Sequence, residues 1–278
     1  MDENMRMSKR STRAFNQLSN IEFLPDSKRS QITIFIILAL IIVVGILIIF
    51  LLRAPTKVTM GKTYDENNPQ AYIEQCTRDA VQDAIDILSP QGGDIVPSGS
   101  VRYDGIDRVY LCYSNDFYKR CVNQRPLLVE HIEQEITNFI FPKVEDCFKS
   151  LEMKLESRYP NIETSDMKLK TRLYPRQISI EIDKKFKMTR EDQVRDFNHF
   201  KISMIHPLYN FAEIGMEVAN QQAQYCHFDD LGFMIFYPSF DVKSIKTGDS
   251  DNIYTITERA TNQKFTFAIR SCLLPPGF

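Results

Sequence analysis

ITIFIILALIIVVGILIIFLL occupies residues 32–52, and its reading decides the architecture. Eighteen of these 21 residues are Ile, Leu, Val or Phe; the exceptions are Thr33, Ala39 and Gly45. No charge interrupts the run. As a helix rising about 1.5 Å per residue it covers ~31 Å, which matches a hydrocarbon core of ~30 Å. Each Ile, Leu, Val or Phe near the bilayer centre contributes roughly −0.3 to −0.6 kcal/mol to insertion. A core helix of a soluble protein rarely stays apolar on every face for this long. The run therefore predicts a transmembrane helix over residues 31–52. A signal anchor fits better than a cleaved secretory signal, whose apolar region spans only ~7–15 residues and ends in a small-x-small site. Here Arg53-Ala54-Pro55 follows instead.

Residues 1–30 are polar and charged, which predicts a mostly disordered cytoplasmic tail. Residues 53–68, with Pro55 and Gly61 and no apolar period, read as a juxtamembrane linker. Residues 69–278 read as one extracytoplasmic domain, with a subdomain division expected near residue 160. Basic residues flank the apolar run about equally, so the positive-inside rule favours neither orientation. All six cysteines lie beyond the run, at 76, 112, 121, 147, 226 and 272, and an even set confined to one side suits an oxidising compartment. The expected placement is thus the cell membrane, single-pass, with the N-terminus cytoplasmic and the domain outside. Removing the six basic and four acidic residues of the tail leaves 28 basic against 32 acidic. That balance argues against a nucleic-acid partner. No Asn-x-Ser/Thr triplet occurs, so N-glycosylation finds no acceptor.

The domain reads as α+β, with about three helices and about seven mostly antiparallel strands. Pro69 after Asn68 opens a helix in which Ile73, Cys76, Ala80, Ala84, Ile87 and Leu88 recur at three- and four-residue steps, and Gln91-Gly92-Gly93 stops it. Val101–Tyr113 suggests a strand or hairpin. A second helix begins at Pro126 with a stripe from Leu128 to Leu155, and Pro142 is expected to kink or divide it. Met167–Tyr174 and Gln177–Asp183 form an antiparallel pair, and Phe197–Ser203 reads as another strand. Pro207 opens a third helix that runs to about Tyr225. Phe233–Phe240 is a short apolar run. Val242–Ile245, Ile253–Glu258 and Lys264–Ile269 close the chain as a meander.

Ile73-Glu74-Gln75-Cys76 echoes Val144-Glu145-Asp146-Cys147, each cysteine on the apolar face of a predicted helix. If those helices pack side by side, a Cys76–Cys147 bridge joins them. Cys112 and Cys121 then staple a local loop, and Cys226 and Cys272 tie the third helix to the last strand. Fifteen pairings exist for six cysteines, and reduced, buried cysteines are the alternative. No metal site or cofactor is expected: CxxC and HExxH are absent. His131 and Glu135 lie one helical turn apart, as many surface pairs do. Cys226-His227-Phe228-Asp229-Asp230 reads as a helix end entering a loop. Asp249-Ser250-Asp251-Asn252 lacks the sixth-position glycine and twelfth-position glutamate of a calcium loop. No GxSxG, phosphate loop or dinucleotide fingerprint appears, so no catalytic residue is assigned. Tyrosines between 103 and 118, interleaved with Arg102, Arg108, Lys119 and Arg120, make either a contact surface or a half-buried hairpin.

Lys28-Arg29-Ser30-Gln31-Ile32-Thr33-Ile34-Phe35 resembles the class III signal peptide of archaeal type IV pilin-like proteins. The resemblance implies cleavage by a prepilin peptidase between Ser30 and Gln31. The chain departs from that family at Phe35, where a glutamate used in assembly usually stands, and at Pro55, where a pilin helix runs on. More broadly it resembles archaeal single-pass membrane proteins of unassigned activity that begin with a QxTxF anchor. The paired cysteine helices, Gln91-Gly92-Gly93 and Lys264-Phe265-Thr266-Phe267-Ala268-Ile269-Arg270 carry that likeness. The expectation is a membrane-anchored extracytoplasmic binding or assembly module of the cell envelope. Its partners would be the lipid bilayer and another envelope or surface protein, with self-association left open. A pilin-like subunit is the alternative, and an envelope enzyme the third.

Overall fold

The computed structural model describes residues 35–46, 68–191 and 193–275. The chain divides into two units, Met1–Lys62 and Thr63–Phe278. In the first unit, residues 35–46 form helix α1, with Phe35, Ile41 and Ile46 among its exposed apolar side chains. This corrects the expected transmembrane helix. No helix among the described residues is long and apolar enough to cross a membrane. Residues 35–46 reach about 18 Å, short of a ~30 Å hydrocarbon core. The rest of the apolar run, together with Ser30 and Gln31, lies outside the described residues.

In the second unit, α2 (Pro69–Leu88) starts where Asn68 accepts a hydrogen bond from the Ala71 N–H at 3.2 Å. That cap satisfies one orphan donor, and Pro69 has no N–H to orphan. A 3-10 turn, Ser89–Gln91, ends the helix. Gly92 and Gly93 then take φ of +80° and +104°, and the Gly93 N–H donates to the Leu88 carbonyl at 2.9 Å. A Cβ on Gly93 would stand 3.0 Å from Ile132 Cγ1, so the turn closes directly onto the next helix. That helix, α3 (Leu128–Leu155), buries Ile132, Ile136, Ile140, Val144, Phe148 and Leu151. It runs as one helix through Pro142, where a kink or a division was expected.

Two sheets flank these helices. The first is ordered β1 (Ser100–Tyr103), β2 (Ile106–Tyr113), β10 (Lys264–Arg270), β9 (Asn252–Glu258), β8 (Phe240–Lys246), with β3 (Val122–Asn123) on β2. Its β2–β10 pairing is parallel, and all its other pairings are antiparallel. The second is built on β6 (Gln177–Arg190). Along one edge β6 pairs with β5 (Lys168–Tyr174) and then β4 (Asn161–Thr164); along the other it pairs with β7 (Gln193–Ile205). Helix α4 (Leu208–Tyr225) packs on β2 and β10, and α5 (Asp230–Phe236) lies beside β8.

The described residues therefore hold five helices and ten strands; without α1, the second unit has four helices and ten strands, against the about three and about seven expected there. The excess has local causes. β4 is mostly exposed and shows no alternation, so a two-residue period could not reveal it. β3 spans two residues. The first half of the apolar run Phe233–Phe240 is helix, because Asp229 caps α5 by accepting the Gly232 N–H at 2.9 Å. The paired strands β6 and β7 reach well past the predicted ends, through an irregularity between Asp183 and Phe186 that breaks the alternation.

Candidate interaction surface

Three cysteine pairs stand at bonding distance. Cys76–Cys147 joins α2 to α3, with Cα atoms 6.3 Å apart. Cys112–Cys121 closes a loop off β2, and Cys226–Cys272 ties the end of α4 to the segment after β10. No cysteine is free. The first pair lies where α2 packs against α3.

The other constellations resolve into structural roles. His131 Nε2 bonds Asp94 Oδ1 at 2.6 Å, and Glu135 accepts the Ile95 N–H at 2.7 Å. Both side chains clamp the loop after α2. Burial pushes the Asp94 carboxyl up, but hydrogen bonds from His131 and Arg125 outweigh it and leave the pKa below the ordinary value. Asp251 is buried, accepting from the Tyr110 hydroxyl and from Arg270, each at 2.9 Å. It therefore faces inward, held by these two donors. Burial, and next the bond to Asp251, raise the Tyr110 phenol pKa. Among the described residues no group of three His, Cys, Asp or Glu could hold a metal. Of the tyrosine-rich stretch, Tyr103 and Tyr110 are half-buried, Arg108 is buried, and Tyr118 is exposed in the Cys112–Cys121 loop.

The surface that stands out is α5. It buries no residue. Ile235 and Phe236 are 77% and 81% exposed, and Leu231 and Tyr237 are exposed beside them. Seven residues are too few to hold a helix in water. Three things keep this one in place: the Asp229 cap, the bridge at Cys226, and an aromatic tether. Buried Phe228 meets Phe233 at 5.6 Å between ring centroids, and Phe233 stacks on Tyr237 at 4.6 Å. A rigid mount thus presents an apolar ridge to solvent. Between the ridge and α4 runs a groove of about 630 Å³, floored by Ile214 and Phe240. Glu213 and Glu217 of α4 line its far wall and Asp229 its end, with no basic residue among the lining. The arrangement offers aromatic anchors next to uncompensated carboxylates.

Sequence reasoning missed this ridge. The only signal was Asp229, a residue type that caps helices, followed by a short apolar run. No protein-family model, curated protein or solved structure matches the chain.

Proposed function

We propose that this protein is an extracytoplasmic binding or assembly module of the cell envelope that docks a protein partner through α5 and the α5–α4 groove. The observation that carries the reading is the rigidly mounted, uncovered ridge of Leu231, Ile235, Phe236 and Tyr237. Exposed apolar patches of this kind mark interaction sites, and aromatic side chains dominate binding energy at interfaces. Covering Ile235 and Phe236 alone gains roughly 3–6 kcal/mol before association costs, at ~1.5–3 kcal/mol per large apolar side chain. The acidic wall selects a partner that brings a basic residue alongside its apolar anchor. The three cysteine pairs support an oxidising compartment for the domain. The apolar residues 32–52 support retention at the cell membrane. No catalytic step enters this reading.

The test is a photo-cross-linker placed at Ile235 in cells. The expected result is one discrete adduct that disappears when Glu213 and Glu217 are both changed to Lys. No adduct, or one indifferent to charge reversal, would count against the surface.

A second reading, a pilin-like subunit cleaved between Ser30 and Gln31, is favoured by the uncovered apolar side chains of α1. In that case the mature chain begins at Gln31 and is recovered in filaments, which mass spectrometry of the N-terminus detects.

A further inference from the structure

A second cavity, of about 480 Å³, opens in the second unit where α2 ends. Its wall combines the 3-10 turn (Ser89, Pro90), β2 (Arg108), the residue after β7 (His206) and the start of β10 (Lys264, Thr266). Three of these side chains are polar and more than nine-tenths buried: Ser89, Arg108 at 7% exposure and His206 at 4%. Each keeps a polar atom without a hydrogen-bond partner: Ser89 Oγ, Arg108 Nε and His206 Nδ1. Buried polar atoms are almost always paired, and of the seven unpartnered side-chain atoms among the described residues three lie in this one wall.

The charge pattern is as telling. Arg108 donates from one guanidinium nitrogen to the Pro90 carbonyl, which uses one of its five N–H donors. Among the described residues it makes no ion pair at bonding distance; Asp104 acts on it electrostatically, but the cost of burial outweighs that attraction. Lys264 stands exposed at the rim. The single carboxylate of the lining, Asp86, is exposed and already accepts from Gln82 Nε2 at 2.8 Å. Glu258, which faces His206, is engaged by Arg176 at 2.6 Å. Among its own lining residues the cavity thus carries an excess of donors and of positive charge.

We infer that this cavity binds a small molecule through an oxyanion group, phosphate or sulfate, held by Arg108 and Lys264 and completed by the Ser89 hydroxyl and His206 ring N–H. The unpartnered Ser89 Oγ and His206 Nδ1 lie beneath the cavity surface, so binding through them requires a rotamer turn at Ser89 and a ring flip at His206. The guanidinium supplies the charge-assisted, directional contact that oxyanions favour. The volume lies within the roughly 300–1,000 Å³ typical of small-molecule pockets. This site is separate from the α5 ridge and does not depend on it.

The test uses the full chain, purified oxidised in mild detergent and titrated with inorganic phosphate and, in a parallel arm, sulfate. Binding is read by calorimetry and by the ring signals of the four histidines. Saturable binding that moves the His206 signal is expected, with the tighter arm identifying the preferred anion. Arg108→Gln should weaken binding at least tenfold and Lys264→Gln several-fold, while Lys168→Gln on β5 leaves it unchanged. If Arg108→Gln fails to fold, the exposed Lys264 decides. No saturable binding of either anion, or equal binding by the Lys264 and Lys168 variants, overturns the inference.

Discussion

Replacing Cys76 and Cys147 together by alanine removes the bridge between α2 and α3. It closes a loop across a sequence separation of 71, against 9 for Cys112–Cys121 and 46 for Cys226–Cys272. In the chain-entropy account the loss grows with the logarithm of loop length. That gives about 4.4 kcal/mol for the first bridge, about 2.6 for the second and about 4.0 for the third at 25 °C. The comparison between bridges is more secure than any single value. From loop length alone, the Cys76–Cys147 pair should cost about 1.8 kcal/mol more than the Cys112–Cys121 pair. Alanine is preferred to serine because Cys147 is buried among apolar neighbours and a hydroxyl there adds its own desolvation cost. Urea unfolding of the full oxidised chain, followed by circular dichroism, measures both double variants. The reasoning is refuted if removal of the short bridge destabilises as much as removal of the long one.

The pH and backbone predictions are independent of the bridges. Burial holds His206 near pKa 4, below its ordinary value of 6.5, despite Glu258 and Asp86 pulling it upward. The unfolded chain therefore binds the proton first, so stability is full above pH ~6.5 and falls as pH drops toward 4, by roughly 3 kcal/mol at most. Urea midpoints across that window should slope for the native chain and flatten for His206→Gln. Gly93→Ala should cost about 1–3 kcal/mol, because φ of +104° strains any side chain and the new Cβ meets Ile132. A thermal melt unchanged from the native chain would contradict that placement.

Much of the second unit was legible because its signals are local. Asn68-Pro69 specifies a helix start by capping chemistry, and Ile73, Ala80 and Ala84 specify its buried face by spacing. The cysteines follow from those faces: once α2 and α3 each turn a cysteine inward, helix packing selects the partner. Three things were hidden. The apolar run of residues 32–52 says how oily a segment is, and the helix described within it, 35–46, is shorter than the run. α5 has no period to detect, since a helix two turns long that buries nothing leaves no pattern. The oxyanion cavity draws Ser89, Arg108, His206 and Lys264 from four separate elements, which meet only because β10 lies parallel beside β2 and β7 ends next to α2. No spacing in the chain encodes that meeting.

The α5 ridge is tested most directly by one affinity. Once the cross-linked partner is identified, its binding to the native chain is compared with binding to Phe236→Ala. Because Phe236 is 81% exposed, the substitution should leave the unfolding midpoint unchanged. As a central aromatic anchor it should weaken binding by at least about 30-fold, the equivalent of ~2 kcal/mol. Equal affinity for the two proteins would contradict the account.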